Sequence, residues 1–317
     1  MKKNNIYKKF IKFANCFICS SKKRKAFRAK YSPEINVSTT IIKYLNNLYP
    51  NLQISLLDVG ARNGLEASGL FTQILEFKNK EIYGIEPDEN EAKRLLGLNQ
   101  YKEISTNALF DIEATGPLYF TETPGCSSLL EPNEKMLQEL NLMISDWFKV
   151  EKVINIETKT LKQIFPNKTF DYIKIDTQGT EMNIIKSFSQ EILDKCICIH
   201  CEAQSIKFYK NQFLIGELLN YMSANNFIPL TLAPVKMDGM DLEFNITFLK
   251  NPILIKKSED LIKHIMIGLF SDLPDYIAYL LRTHSDLLDE QFIKVLRSNL
   301  ELSYYEQKYR IQANKNI

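Results

Sequence analysis

Short apolar runs alternate with segments of helical periodicity along most of this chain. Val37 to Leu48 sets Ile41, Ile42, Leu45 and Leu48 at helical spacing and stops at Pro50-Asn51. Ile54 to Val59 is a short apolar run ended by a glycine turn, Glu66 to Phe77 has helical periodicity, and Ile82 to Ile85 is a second strand running into Glu86-Pro87. Asn90 to Leu98 predicts the next helix, Ile104 to Leu109 a third strand, and Tyr172 to Ile175 a fourth, followed by a helix from about Glu181 to Phe188. Cys196 to Cys201 is a fifth strand. A helix near Leu214 to Asn225 leads to Ile228-Pro-Leu-Thr, and Phe244 to Leu249 is a last strand-like run. Strands that alternate with helices predict an α/β fold: a mostly parallel sheet with helices on both faces. Such sheets bind ligands beyond the carboxyl ends of the strands, where the strand order reverses, and the first glycine turn should lie there.

Two regions depart from this rhythm. Residues 116–150 hold Pro124-Gly125-Cys126-Ser127-Ser128 and the only tryptophan, Trp147, and an insertion of that size over the sheet's active end would act as a lid. Beyond Ser258 the pattern is helical, with Leu261, Ile262, Ile265 and Met266, then Ile277, Leu280 and Leu281, then Phe292, Val295 and Leu296. Those stripes predict packing or an oligomer contact. The division that follows is a basic tail over 1–30, a catalytic domain over 31–255 containing the lid-like 116–150, and a helical C-terminal extension over 256–317.

Charge sharpens the first boundary. Residues 1–30 carry eleven Lys and Arg and no acid, while the rest of the chain holds 29 basic and 38 acidic residues, a balance of −9. In the tail Ile6, Tyr7, Phe10, Ile11, Phe13, Phe17 and Ile18 alternate with Lys8, Lys9 and Lys12. It is either an amphipathic helix suited to an anionic membrane surface or a disordered basic arm. No apolar run approaches the roughly 18 to 20 residues of a spanning helix, and lysines interrupt any secretory apolar core, so the expected location is cytoplasmic, with peripheral contact at the membrane's inner face through the tail. The acidic balance of the remainder argues against nucleic acid as a partner. Of the six cysteines, Cys16 and Cys19 have a zinc-like spacing, and Cys196, Cys198 and Cys201 sit in an apolar strand where small thiols suit a core; no metal site is assigned.

The candidate chemistry gathers at strand ends. Gly60 and Gly64 let the backbone turn sharply and approach a ligand, but Arg62 occupies the position where a dinucleotide fingerprint needs its second glycine. The spacing Asp58-x-Gly60-x-x-x-Gly64 suits a nucleoside without phosphates, with Asp58 available to a cationic ammonium, and this favours S-adenosylmethionine over a nicotinamide cofactor. Glu86, 22 residues after Gly64, can accept hydrogen bonds from both ribose hydroxyls. Asn107-Ala108 can read an adenine edge or serve a turn. Asp176, in Asp176-Thr-Gln-Gly-Thr-Glu181, is the best candidate for a reacting-site carboxylate, holding the donor's ammonium, orienting a substrate hydroxyl or acting as general base, and Glu202 is a second carboxylate on that rim. His200 is read as a strand histidine rather than a catalyst.

Asp58-Val-Gly60-Ala61, Glu86-Pro87 and Lys174-Ile-Asp176-Thr-Gln178-Gly179-Thr-Glu181 together resemble the FkbM family of methyltransferases, as do Ser127-Ser128, the stretch from Glu202 to Phe213 and Asn245 to Phe248. The resemblance covers about residues 50 to 250. It implies a Rossmann-like class I methyltransferase fold using S-adenosylmethionine, often on hydroxyls of sugars or polyketide-type products. Carried over, Asp58, Gly60, Ala61, Gly64 and Glu86 would hold the donor and Asp176 would lie beside donor and acceptor; with the residues read from the strand ends, the expected donor site adds Asn63, Pro87, Asn107 and Ala108, and the expected catalytic carboxylates are Asp176 and Glu202. Departures are Leu161-Lys162, where the family often has Leu-Asp, and Arg62-Asn63 in place of an Asn-hydrophobic pair. The expected activity is O-methylation of a sugar, glycan or related small molecule. The rival readings are a non-catalytic module docking glycan enzymes and a nicotinamide-dependent oxidoreductase.

Overall fold

A computed structural model describes residues 37–65 and 71–300. The basic tail, Cys16 and Cys19, and residues 66–70 of the second predicted helix lie outside the described residues.

Helix α1 (Val37–Leu48) is followed by β1 (Ile54–Val59), a 3-10 turn at Thr72–Glu76, β2 (Lys80–Ile85), α2 (Glu89–Leu96) and β3 (Glu103–Ser105). Next come β4 (Ala108–Leu109), β5 (Ala114–Thr121), α3 (Glu134–Glu139), β6 (Val150–Lys159), α4 (Leu161–Ile164), β7 (Tyr172–Ile175), α5 (Glu181–Lys186), α6 (Gln190–Lys195), β8 (Cys198–Gln204) and α7 (Ile215–Ala224). The hairpin β9 (Phe227–Met237) and β10 (Met240–Lys250) precedes α8 (Ser258–Phe270), α9 (Pro274–His284) and α10 (Glu290–Asn299). The main sheet runs β3-β2-β1-β7-β8-β10-β9, with β3 to β8 parallel and β10 antiparallel to both neighbours. The strand order therefore reverses between β1 and β7, which places the ends of these two strands at the site-forming crevice.

Central position explains the sequence of β1, whose residues are buried at every position but Ser55 because strands flank both edges and helices cover both faces. Successive residues serve opposite cores. Ile54 and Leu56 face one with Tyr172 and Cys198, while Leu57 and Val59 face the other with Ile173, Ile175 and Ile199. Helix α1 and helices α8, α9 and α10 close the first core, and α4, α5, α6 and α7 close the second. Leu261, Ile262, Ile265, Met266, Ile277, Leu280, Leu281, Phe292 and Leu296 are all buried there, each contributing about 1.5–3 kcal/mol. The C-terminal helices thus share a core with β1.

The described part of the helix expected over Glu66 to Phe77 is the 3-10 turn at Thr72–Glu76, and two further elements differ from the sequence expectation. The predicted strand from Ile104 to Leu109 is two strands, because the chain turns at Thr106-Asn107, where the Asn107 N–H donates to Ser105 Oγ at 3.2 Å. Its second piece, β4, pairs with β6 in a separate three-stranded sheet, β4-β6-β5. The segment 116–150 holds part of β5, α3 and two 3-10 turns, and its apolar residues Cys126, Leu137, Leu142, Ile144 and Phe148 form a third cluster with Phe208, Tyr209 and Leu242. Among the described residues no helix is long and apolar enough to cross a membrane.

Candidate active site

The turn after β1 is shaped by the strand beside it. Gly60 has φ +71°, and a Cβ there would stand 1.9 Å from the Asp176 carbonyl oxygen. Its N–H and that of Ala61 both donate to Ile85 O, at 3.0 and 3.1 Å, while the Asp176 N–H donates to Val59 O at 3.0 Å. Only glycine fits where the ends of β1 and β7 press together. Asn63 and Gly64 also have positive φ, 68° and 74°, and the Asn63 N–H donates to Glu91 Oε1 at 2.8 Å, fixing the turn to α2.

A cavity of about 450 Å³ opens over these strand ends. One side is Gly60, Arg62, Asn63, Glu86, Pro87 and Asp88; a floor comes from Val59, Ile85, Ala108 and Leu109; Asp176, Thr177, Gln178 and Thr180 form the far rim. The roof comes from the region expected to be a lid and from β6. Leu118, Phe120, Ile154 and Ile156 lie on one face of the β5–β6 ribbon, where Leu118 is paired with Ile154, and Pro124 to Leu129 add a loop. Charge on the near wall is balanced locally. Arg62 Nη2 lies 2.9 Å from Asp88 Oδ2 and 3.8 Å from Glu86 Oε1. Burial raises the Glu86 carboxyl's pKa, opposed by the Asp88 N–H that donates to it at 3.0 Å and by Arg62.

Of the sequence candidates, Gly60, Asn63, Glu86, Pro87, Ala108 and Asp176 line the cavity; Asp58, Ala61, Gly64, Asn107 and Glu202 do not. Asp58 is fully buried, and its carboxylate accepts from Tyr101 Oη at 2.7 Å and from Lys174 Nζ at 3.0 Å, an internal ion pair beneath the turn. Ala61 points into the core beside Leu65 and Phe71. Gly64 packs against Leu95, and Asn107 occupies the turn between β3 and β4. Glu202 lies behind Gln178, whose Nε2 reaches it at 3.3 Å. His200 sits in β8 with Nδ1 3.0 Å from Thr247 Oγ1, and burial lowers its pKa to about 4, which makes it a neutral strand residue.

Lys174 opens the third motif block but was given no role in the sequence reading, although a lysine inside the apolar run Tyr-Ile-Lys-Ile signals one. Parallel register sets it beside Asp58. Its ammonium donates to Asp58 and to Gly60 O at 3.2 Å and lies 3.7 Å from Asp176 Oδ2. Burial alone would lower its pKa, but the Asp58 and Asp176 carboxylates outweigh burial and raise it, so it stays charged. Asp176 is the one carboxylate of this group that is 41% exposed at the side chain and open to the cavity. Around it the acids are less well compensated. Glu181 accepts from the Thr177 and Gly179 N–H groups, both at 2.9 Å, yet burial raises its pKa to about 7. Burial, then the carboxylates of Asp176, Glu243 and Glu181, hold Glu202 well above the usual range. Among the described residues no group of three or more His, Cys, Asp or Glu is placed to hold a metal ion.

A nucleoside donor with a cationic sulfonium fits this cavity. Glu86 offers a buried acceptor, Ile85, Ala108 and Leu109 an apolar shelf, the Gly60 turn a close backbone approach and Asp176 an anion. The family model described as the methyltransferase FkbM domain matches residues 58–229. No curated protein matches the sequence. Among solved structures, the chain is similar to the 1,6-didemethyltoxoflavin-N1-methyltransferase of Burkholderia thailandensis with bound 1,6-didemethyltoxoflavin and S-adenosylhomocysteine, at 11% identity over 71% of this chain and 82% of that one, TM-score 0.34. It is similar too to the plantazolicin methyltransferase in complex with S-adenosylhomocysteine, at 12% identity over 78% and 99%, TM-score 0.34. A third is the magnesium protoporphyrin IX methyltransferase from Synechocystis PCC 6803 with bound S-adenosylmethionine, at 9% identity over 76% and 97%, TM-score 0.30.

Proposed function

Because the chain belongs to the FkbM family of S-adenosylmethionine-dependent methyltransferases, we propose that it is an O-methyltransferase whose acceptor is a hydroxyl of a sugar, glycan or related small molecule. The observation that carries this reading is Asp176, a carboxylate open to the cavity, held by Lys174 and Gln178, across from Glu86.

S-adenosylmethionine supplies a methyl group on a sulfonium. Glu86 would accept hydrogen bonds from its ribose, and Gly60, Asn63, Pro87, Ala108 and Leu109 would line the donor's part of the cavity. Asp176 would orient the acceptor hydroxyl and take up its proton. Alignment contributes much of the acceleration, because holding nucleophile and methyl group in line removes about 7–11 kcal/mol of entropic and solvent cost. The proton acceptor adds about 10²–10⁴-fold.

The test is to incubate the full chain and S-adenosylmethionine with a panel of saccharides, glycosides and hydroxylated metabolites, following S-adenosylhomocysteine and the product mass. Release of S-adenosylhomocysteine together with one added methyl on a hydroxyl is expected. Methylation confined to amine or carboxylate acceptors would overturn the reading.

A further inference from the structure

Between Asp176 and Glu202 stands the side-chain amide of Gln178. Its Nε2 lies 3.2 Å from Asp176 Oδ1 and 3.3 Å from Glu202 Oε2, so each amide hydrogen faces one carboxylate. The other end of the amide is fixed as well. Tyr209 Oη is 3.1 Å from Gln178 Oε1 and 2.8 Å from Cys126 O, so its proton is shared between two acceptors. Turning the amide over would set its oxygen against two carboxylates. The backbone of Gln178 is in the left-handed region, φ +58°, and its carbonyl accepts from Ser128 Oγ at 2.7 Å, tying it to the cavity roof. Tyr209 is buried and packs edge-on against Phe148 at 5.6 Å. The glycine after Gln178 makes this closeness feasible, because a Cβ at Gly179 would stand 2.7 Å from the Tyr209 ring.

We propose that Gln178, oriented by Tyr209, is a positioning residue that aims the Asp176 carboxylate into the cavity and separates it from Glu202. The inference rests on the reading of Asp176 as the proton acceptor. Gln178 holds Oδ1, Lys174 stands beside Oδ2, and the remaining approach to Asp176 is from the cavity. The charged and titratable groups facing the pair are Lys174 from β7, Glu181 from α5, His200 and Cys201 from β8, Glu243 from β10, and Cys126 and Tyr209 from the loops, and of these Lys174 alone is cationic. Without the amide, Asp176 would confront Glu202 directly, and the one nearby ammonium is already bonded to Asp58. A proton would then be held more tightly by the pair, and Asp176 would be a poorer acceptor at neutral pH.

The test is a carboxyl-carbon NMR titration of Asp176 and Glu202 in the full chain, in wild type, Gln178→Leu and Tyr209→Phe. Gln178→Leu is expected to raise the Asp176 midpoint by about one pH unit or more, roughly tenfold in proton affinity. Tyr209→Phe keeps the amide but frees its orientation, and a smaller shift in the same direction is expected. Thermal unfolding identifies a variant that has lost its fold. If Gln178→Leu does not fold, Tyr209→Phe alone decides the matter. An unmoved Asp176 midpoint in a folded variant overturns the inference. An Asp176→Asn enzyme that turns over normally would instead overturn the base assignment, whatever the titration shows.

Discussion

Asp58 and Asp176 end neighbouring strands on the two sides of one buried ammonium, and their surroundings differ. Asp58 is enclosed, with Lys174 and Tyr101 bonded to its two oxygens. Asp176 is partly open, with Lys174 at 3.7 Å and a neutral amide at 3.2 Å. On the Asp58 side every charge has a close opposite or a hydroxyl partner, which makes it a piece of the fold. Around Asp176, the carboxyl groups of Glu202, Glu181 and Glu243 crowd together, and such crowding is characteristic of a site that handles protons. A motif aspartate is thus not assigned by its position at a strand end but by which of its oxygens are already taken.

Removing the shared cation should have the largest effect. Lys174→Met leaves Asp58 buried with only Tyr101, and a stability loss of about 3–5 kcal/mol in urea unfolding is expected; a loss under about 0.5 kcal/mol would show that Asp58 does not need its partner. Glu181 probes the other side. Below pH 4.5 it is protonated in the folded and unfolded chains alike, whereas between pH 4.5 and about 7 the folded chain alone keeps the proton. The wild type should therefore lose stability as pH rises through that window, by up to about 3 kcal/mol, and Glu181→Gln should show a flatter profile. Tyr101→Phe removes one hydrogen bond to Asp58, costing about 1.5–3 kcal/mol by the same unfolding assay while sparing turnover. Smallest in free energy, Glu86→Gln should weaken S-adenosylmethionine binding about tenfold in calorimetry, near 1.4 kcal/mol, with unfolding unchanged.

Much of this molecule was legible in its sequence, and the unread parts have physical causes. β1, β2, β7 and the glycine turn announce themselves because a central parallel strand must be apolar at nearly every position and the turn must pass under Asp176. The β5–β6 ribbon was missed although Ile154-Asn-Ile156-Glu-Thr158 alternates, because its inward face meets a cavity and its outward face meets water, which leaves half-buried residues and a weak pattern. The role of Lys174 was overlooked because its partner is 116 residues away, joined only by the register of β1 with β7. For the same reason the ion pair of Asp58 was not read: its spacing from Gly60 is visible in the chain, and the ammonium bonded to it is not. Glu86, Pro87, Ala108 and Asp176 were found because each directly follows a strand or opens the next one, where topology alone sends a side chain into the crevice.

The most direct test of the contrast between the two aspartates is the rate of S-adenosylhomocysteine release by Asp176→Asn, with a hydroxyl acceptor that the wild type methylates. The variant should turn over at least about a hundredfold more slowly, with an unfolding temperature within about 2 °C of wild type. Turnover within about threefold of wild type would contradict the account, since a proton acceptor in the reaction should cost about 10²–10⁴-fold when removed.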